Sequence, residues 1–425
     1  MSPLALLAVS LLAPQAQAFC GTYVGGAGGA PSNRASHVVM VRQGERTTLT
    51  MAGDARGVAP SFGMMVPVPG TVAKAELLED LDLIERVDTY AGPRLVSYSC
   101  EELHGFGGGG GGGGQQAVCG MVASMAKEQL RGAILAEANG LLGDLLPGMG
   151  SYEVDVLTPA SVADLDDWAG GRGWSLHPDA RALMAPHVDR GGGVVTVGVD
   201  LDEAHHGGVL LKPLQIAYDS DAMVVPVKLG AVGAGGVQDL VITVITDMAD
   251  GAVGISNHAE FEVETECMWR DEGPSFDAFY EDQLAEGYEQ GGDGVAWTTE
   301  YVWAPAKCDP CTDEGPLEEE VLRDLGYEGS PGEAVLTRLH VRLDPARVRD
   351  DLVLYASGLS SQQQQRYILH DPSLEADFPI CGEGWAPDPG TCEDTAPAAP
   401  TPASLPLLPL GGLVAGLGAV FRRRG

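Results

Sequence analysis

Two short blocks ending in Val-Pro-Val constrain this chain more than any other feature: Met64-Met65-Val66-Pro67-Val68-Pro69 and Met223-Val224-Val225-Pro226-Val227. Proline has no N–H to give to a sheet ladder, so each block is an apolar extended run that must end, or lie at the edge of, a sheet. In the second block Leu214 to Ala217 precedes the acidic turn Asp219-Ser220-Asp221 and Met223 to Val227 follows it, which predicts a β-hairpin. Leu49 to Asp54 precedes the first block in the same way. The two therefore read as copies, expected at equivalent places in two similar lobes.

Period-two alternation predicts further strands at His37 to Thr50 around Gln43-Gly44, Tyr152 to Leu157, Val194 to Leu201, Gln238 to Thr246, Trp297 to Trp303 and Ala334 to Leu343. Asp351 to Tyr355 and Arg366 to Leu369 are shorter candidates. Helical spacing of Leu77, Leu78, Leu81, Ile84 and Val87 predicts an amphipathic helix over Ala73 to Tyr90, and Met121 to Ala138 reads as another. Ser161 with Asp164 offers a capping box for a helix stopped by Gly170-Gly171. His177-Pro178 opens a helix to His187, Glu272 to Gly294 is partly helical, and Pro316 opens Leu317 to Leu325. The fold class expected is α+β: largely antiparallel, β-rich lobes with flanking amphipathic helices, plus one C-terminal transmembrane helix. An N-terminal lobe over 19–150 carries a loop of eight glycines, Gly107 to Gly114, and a second lobe covers 151–380.

The two ends of the chain carry the signals for location. Residues 1–18 hold an apolar run, Leu4 to Leu12, and close on Ala16-Gln17-Ala18, which reads as a signal peptide cut before Phe19. After a linker over 381–404, the segment 405–425 contains seventeen uncharged residues, Leu405 to Phe421, before Arg422-Arg423-Arg424. That is about 25 Å of helix, with the arginines expected on the cytoplasmic side. Its layout resembles the C-terminal sorting tails of Gram-negative bacteria, which makes the membrane and a sorting protease the expected partners. The expected location is therefore the cell envelope or surface, with the tail either anchored or processed. A formal net charge of -35 repels nucleic acid and anionic lipid, and so excludes nucleic acid as a partner. Eight cysteines suit an oxidising compartment. Cys100 with Cys119 brackets the glycine loop, Cys308 is expected to pair with Cys311 or Cys267, Cys381 with Cys392, and Cys20 with a distant partner.

Over residues 18 to 372 the chain resembles a bacterial family of exported proteins known as domain of unknown function twenty-three-thirty. The residues that carry the resemblance begin with Ala18-Phe19-Cys20-Gly21, Met65-Val66-Pro67-Val68-Pro69 and Tyr152-Glu153-Val154-Asp155-Val156-Leu157 with Leu165 and Trp168. They continue with Pro213-Leu214, Tyr218-Asp219-Ser220, Val225-Pro226-Val227-Lys228-Leu229-Gly230, Gln238-Asp239-Leu240 and Leu336-Thr337-Arg338-Leu339-His340. The resemblance implies a shared scaffold and no activity. The glycine loop, the segment after it and the acidic stretch Glu260 to Gly326 depart from the family pattern.

Asp200-Leu201-Asp202-Glu203-Ala204-His205-His206 is the densest set of metal-type ligands, and His205, His206 and Asp202 are the candidate ligands for a divalent cation. Against this stands a solvated acidic turn, because adjacent histidines on an extended chain point apart. In Ala334 to Leu343, alternation puts Arg338, His340 and Arg342 on one face, where they would pair with the protein's own acids or hold a carboxylate ligand. There is no G-x-S-x-G and no cysteine in a thiolate setting, so no catalytic residue is identified and no cofactor is expected beyond that cation. The function these observations favour is a non-catalytic structural or binding ectodomain, with a metal-dependent hydrolase or metal-binding protein using the Asp200 to His206 cluster as the alternative.

Overall fold

Every residue of the strand Ala334–Leu343 is buried, and the sheet that carries the fold is built around it. The computed structural model describes residues 20–26, 30–33, 36–57, 60–80, 82–102, 119–125, 147–202, 208–232, 237–291 and 294–385. Ala334–Leu343 pairs antiparallel with Val295–Trp303 on one side and Gln238–Asp247 on the other. Gln238–Asp247 runs parallel to Ser36–Gln43, which closes a two-residue hairpin with Arg46–Ala55. Gly44 takes a φ of 58° at the first loop position, a conformation that an L side chain resists. Leu214–Asp219 and then Thr71–Leu77 complete that side, and Ala259–Glu260 forms the opposite edge. With two short strands attached, this sheet has ten strands and draws them from both sides of residue 150, where the sequence suggests a boundary.

A four-stranded antiparallel sheet, in the order Thr22–Gly25, Ser61–Val68, Gly193–Leu201 and Gly150–Leu157, packs face to face on the first. Period-two alternation explains the layering. Val38 and Met40 enter the cluster between the two sheets, while Val39 and Val41 face the helix Asp82–Ala91 and Leu317 to Leu325 on the other side. In the same way Val66, Val195 and Val197 point between the sheets, while Met65 and Val194 point outward to the helices Val162–Gly170 and Pro178–Asp189. The first of those helices is capped as expected, with the Asp164 carboxylate accepting from the Ser161 N–H at 3.0 Å. Two smaller sheets complete the fold. One contains Cys267–Trp269, Arg366–Leu369, Arg94–Glu102 and Cys119–Met125, and the other contains Met223–Val225, Leu352–Ala356 and Val253–Ile255.

Several sequence expectations are corrected. The described residues are β-rich, with twenty-one strands against six α-helices. No helix among them is long and apolar enough to cross a membrane, which overturns the transmembrane helix expected as part of the fold class. The segment Leu405 to Phe421 itself lies outside the described residues, as do the signal peptide, the glycine loop and most of the linker. The hairpin around Asp219-Ser220-Asp221 does not form. Leu214–Asp219 is hydrogen-bonded on both sides, to Arg46–Ala55 and Thr71–Leu77, so Met223–Val225 crosses to Leu352–Ala356 in another sheet. The Val-Pro-Val copies are consequently not equivalent: Pro67 is the penultimate residue of Ser61–Val68, whereas Pro226 follows its strand and caps the helical turn Val227–Gly230. The first half of the helix expected over Ala73 to Tyr90 is the edge strand Thr71–Leu77, and the expected helix from Met121 begins instead in Cys119–Met125.

Candidate functional site

Two clusters of charge need to be distinguished, one sealed in the core and one open to solvent. The sealed cluster lies on the polar face of Ala334–Leu343, beneath the helices Asp82–Ala91 and Phe276–Gly291. Arg338 donates to Asp88 of the first helix and to Glu300 of the neighbouring strand, and all three are fully buried. Glu300 reaches inward because the ladder with Ala334–Leu343 shifts register between Thr299 and Tyr301, leaving it as the extra residue of a bulge. His340 bridges two carboxylates, with Nδ1 2.9 Å from Glu300 and Nε2 3.0 Å from Asp239. Arg342 forks onto Asp239 at 2.8 and 3.0 Å, and Tyr280 donates to Glu300 at 2.6 Å.

The titration behaviour of this cluster follows from its contacts. Burial disfavours charge on His340, but Glu300 and Asp239 more than offset it and lift the imidazole to about 9. Burial likewise opposes ionisation of Glu300, yet Arg338 and His340 hold it down at about 2. His37, 3.4 Å from Asp88, is dominated by burial and falls to about 4. The internal pairing expected for Arg338, His340 and Arg342 is therefore what the fold contains. The partners Asp88, Asp239 and Glu300 escaped the sequence reading. The signals for Asp88 and Glu300 were a single acid on the apolar face of a helix and a single acid within an aromatic strand.

The open cluster is a cleft of about 800 Å³ where the two Val-Pro-Val segments meet. Pro67 to Thr71 forms one wall, the end of the helix Pro178–Asp189 with Arg190 to Gly192 a second, and Asp219 to Asp221 with Val224, Pro226, Lys228 and Leu229 a third. Two glycines allow these walls to approach. A Cβ on Gly70 would sit 2.0 Å from the Asp219 carbonyl oxygen, and one on Gly192 would sit 2.3 Å from the His187 ring. His187 Nε2 lies 2.8 Å from the Gly193 carbonyl, which can only accept, so Nε2 carries the proton. Asp219 is tied to Arg46 at 2.6 and 3.0 Å, a hydrogen-bonded pair that lowers its pKa. Asp351 accepts from the Lys228 N–H at 3.0 Å, and burial raises its pKa. Among the described residues the side chains of Lys228 and Arg190 make no ion pair.

Of the metal candidates, Asp202 stands exposed just beyond the strand Gly193–Leu201, and His205 and His206 lie outside the described residues. Among the described residues no group of three or more His, Cys, Asp or Glu is placed to hold a metal ion. The cysteines are partly re-paired. Cys308 bonds Cys311 as one of the expected alternatives, but Cys267 bonds Cys381, which overturns the expected Cys381–Cys392 pair. The cause is tertiary: Ile380 bridges to Met268 and the Cys381 N–H donates to the Met268 carbonyl at 3.0 Å, which brings Cys381 beside Cys267. Cys20 is free and buried, its thiol pushed up to about 12 by burial and by Asp351, which corrects its expected distant disulfide. The side chains of Cys100 and Cys119, and Cys392 as a whole, lie outside the described residues.

These features define a β-rich, disulfide-bonded protein with a sealed charge cluster and an open cleft. The family model for an uncharacterized protein conserved in bacteria (DUF2330) matches residues 14–355, and the chain belongs to that family. No curated protein matches it. Among solved structures it is similar to one described as the crystal structure of baculovirus P35, with 8% sequence identity over 77% of this chain and 97% of that one. The TM-score of 0.32 is too low for that likeness to carry weight.

Proposed function

We propose that this protein is an exported, disulfide-braced, non-catalytic binding protein of the bacterial cell envelope. The observation that carries this reading is the Cys267–Cys381 bond, which ties together residues 114 apart within the core. Such a bond persists in oxidising compartments and is rare where glutathione and thioredoxin keep thiols reduced. The surface bond Cys308–Cys311 and the signal-peptide pattern of residues 1–18 agree with it. The binding role is supported by where the charges lie: Arg338, His340 and Arg342 are occupied by Asp88, Asp239 and Glu300 in the core, while the cleft keeps cationic side chains open to solvent.

Fractionation of a bacterium expressing the full chain, followed by mass spectrometry without reductant, tests this. The expected result is protein outside the cytoplasm, beginning at Phe19 and yielding both cross-linked peptides. Reduced protein in the cytoplasm with residues 1–18 attached would overturn it.

A further inference from the structure

We infer that the cleft between the two Val-Pro-Val segments binds a small aliphatic carboxylate, with Lys228 and Arg190 receiving the carboxylate and the proline-lined wall covering the apolar body. This rests on the binding role proposed above and names its ligand class. The size is right, since about 800 Å³ falls within the range of small-molecule sites. Apolar residues line the walls, among them Val68, Met184 and Leu229, and Leu183 stands partly exposed.

Charge selects the headgroup. The chain carries a net charge of -35, so its overall field repels anions, yet Arg190 and Lys228 line this cleft and neither makes an ion pair among the described residues, the Lys228 charge acting on Asp351 through space. Three acids line it as well, Asp219, Asp351 and the exposed Asp221. Asp219 already holds Arg46 through two hydrogen bonds, and the Oδ1 atom of Asp351 is engaged by a backbone N–H. Arg190 offers a planar fork that matches a carboxylate, and Lys228 adds a point charge. His187 is held in the wall by the Gly193 carbonyl through Nε2.

The test is isothermal titration calorimetry on the full chain, first shown by non-reducing mass spectrometry to carry both disulfides, with octanoate, octan-1-ol and butyrate as probes. Octanoate is expected to bind, and octan-1-ol about tenfold or more weaker, as the loss of a charge-assisted contact predicts. Butyrate should also be weaker because it leaves the apolar wall uncovered. The double variant Lys228→Gln with Arg190→Gln should lose at least about tenfold in octanoate affinity with an unchanged urea midpoint, because both side chains reach solvent. No octanoate binding by the wild-type chain, equal binding of octan-1-ol, or full affinity in the double variant would each overturn the ligand class. None of these results would touch the export reading, which falls only if the thiols are reduced and residues 1–18 retained.

Discussion

The sealed cluster around Arg338 and the open cluster around Lys228 use the same residue types to opposite ends. In the core each cation faces a carboxylate that the fold has brought to it, and Glu300 sits on a bulge that aims it there. In the cleft Asp219 is held by Arg46 and Asp351 by a backbone N–H, while Lys228 and Arg190 make no ion pair among the described residues. A buried charge without a partner is costly, so the core must be self-sufficient. A half-exposed charge carries no such requirement, and that is where a ligand can be received.

The largest effect expected from breaking this contrast is on the core. Arg338→Ala leaves Asp88 and Glu300 buried without their shared cation and should cost about 3–5 kcal/mol by urea unfolding, or prevent folding. An unchanged midpoint would show that the pairs are not satisfied as described. Next are the disulfides, which differ in loop length. In the chain-entropy model, replacing Cys267 and Cys381 with Ser should cost about 5 kcal/mol and replacing Cys308 and Cys311 about 2 kcal/mol, so the first pair should lower the melting temperature more. Gly70→Ala, which drives a Cβ into the Asp219 carbonyl, should cost roughly 1–3 kcal/mol and reshape the cleft.

The two core histidines sharpen the comparison through pH. His340 is raised to about 9, so its contribution is complete below the unfolded value near 6.5 and is lost as pH rises through 9. His37 is lowered to about 4, so between 4 and about 6.5 the unfolded chain binds the extra proton and stability rises with pH. Together they place a stability maximum near pH 6.5, to be read from urea midpoints between pH 4 and 9. His340→Gln should flatten the alkaline limb alone. The smallest effect belongs to Lys228→Gln, expected within about 0.5 kcal/mol of wild type because its half-exposed ammonium makes no ion pair among the described residues and acts on Asp351 only through space.

What was legible in the sequence was whatever a local pattern determines. Alternation in Ala334 to Leu343, the Ser161 and Asp164 cap and the Gln43-Gly44 turn all appear as read, because each depends on neighbours within a few residues. The misreadings came where two local rules agreed and a distant partner decided. Leu77, Leu78 and Leu81 fit a helix, but Thr71–Leu77 takes the open edge of Leu214–Asp219 and becomes a strand. The chain bends just after Asp219, yet the strand that ends there already has two partners, so no hairpin closes. The cleft was hidden for the same reason. Its segments are read easily one at a time, and their meeting at Gly70 depends on sheet order.

The parallel pairing of Ser36–Gln43 with Gln238–Asp247 has a consequence for how the molecule comes into being. His37 opposes Val241, so the hairpin made first keeps one hydrogen-bonding edge open until about two hundred further residues exist. At typical bacterial synthesis rates that wait is on the order of 10–40 s. A nascent chain that closes its central sheet so late stays threadable for most of its synthesis, and during that interval the open edge needs a chaperone or a translocation channel to keep it from pairing with another chain.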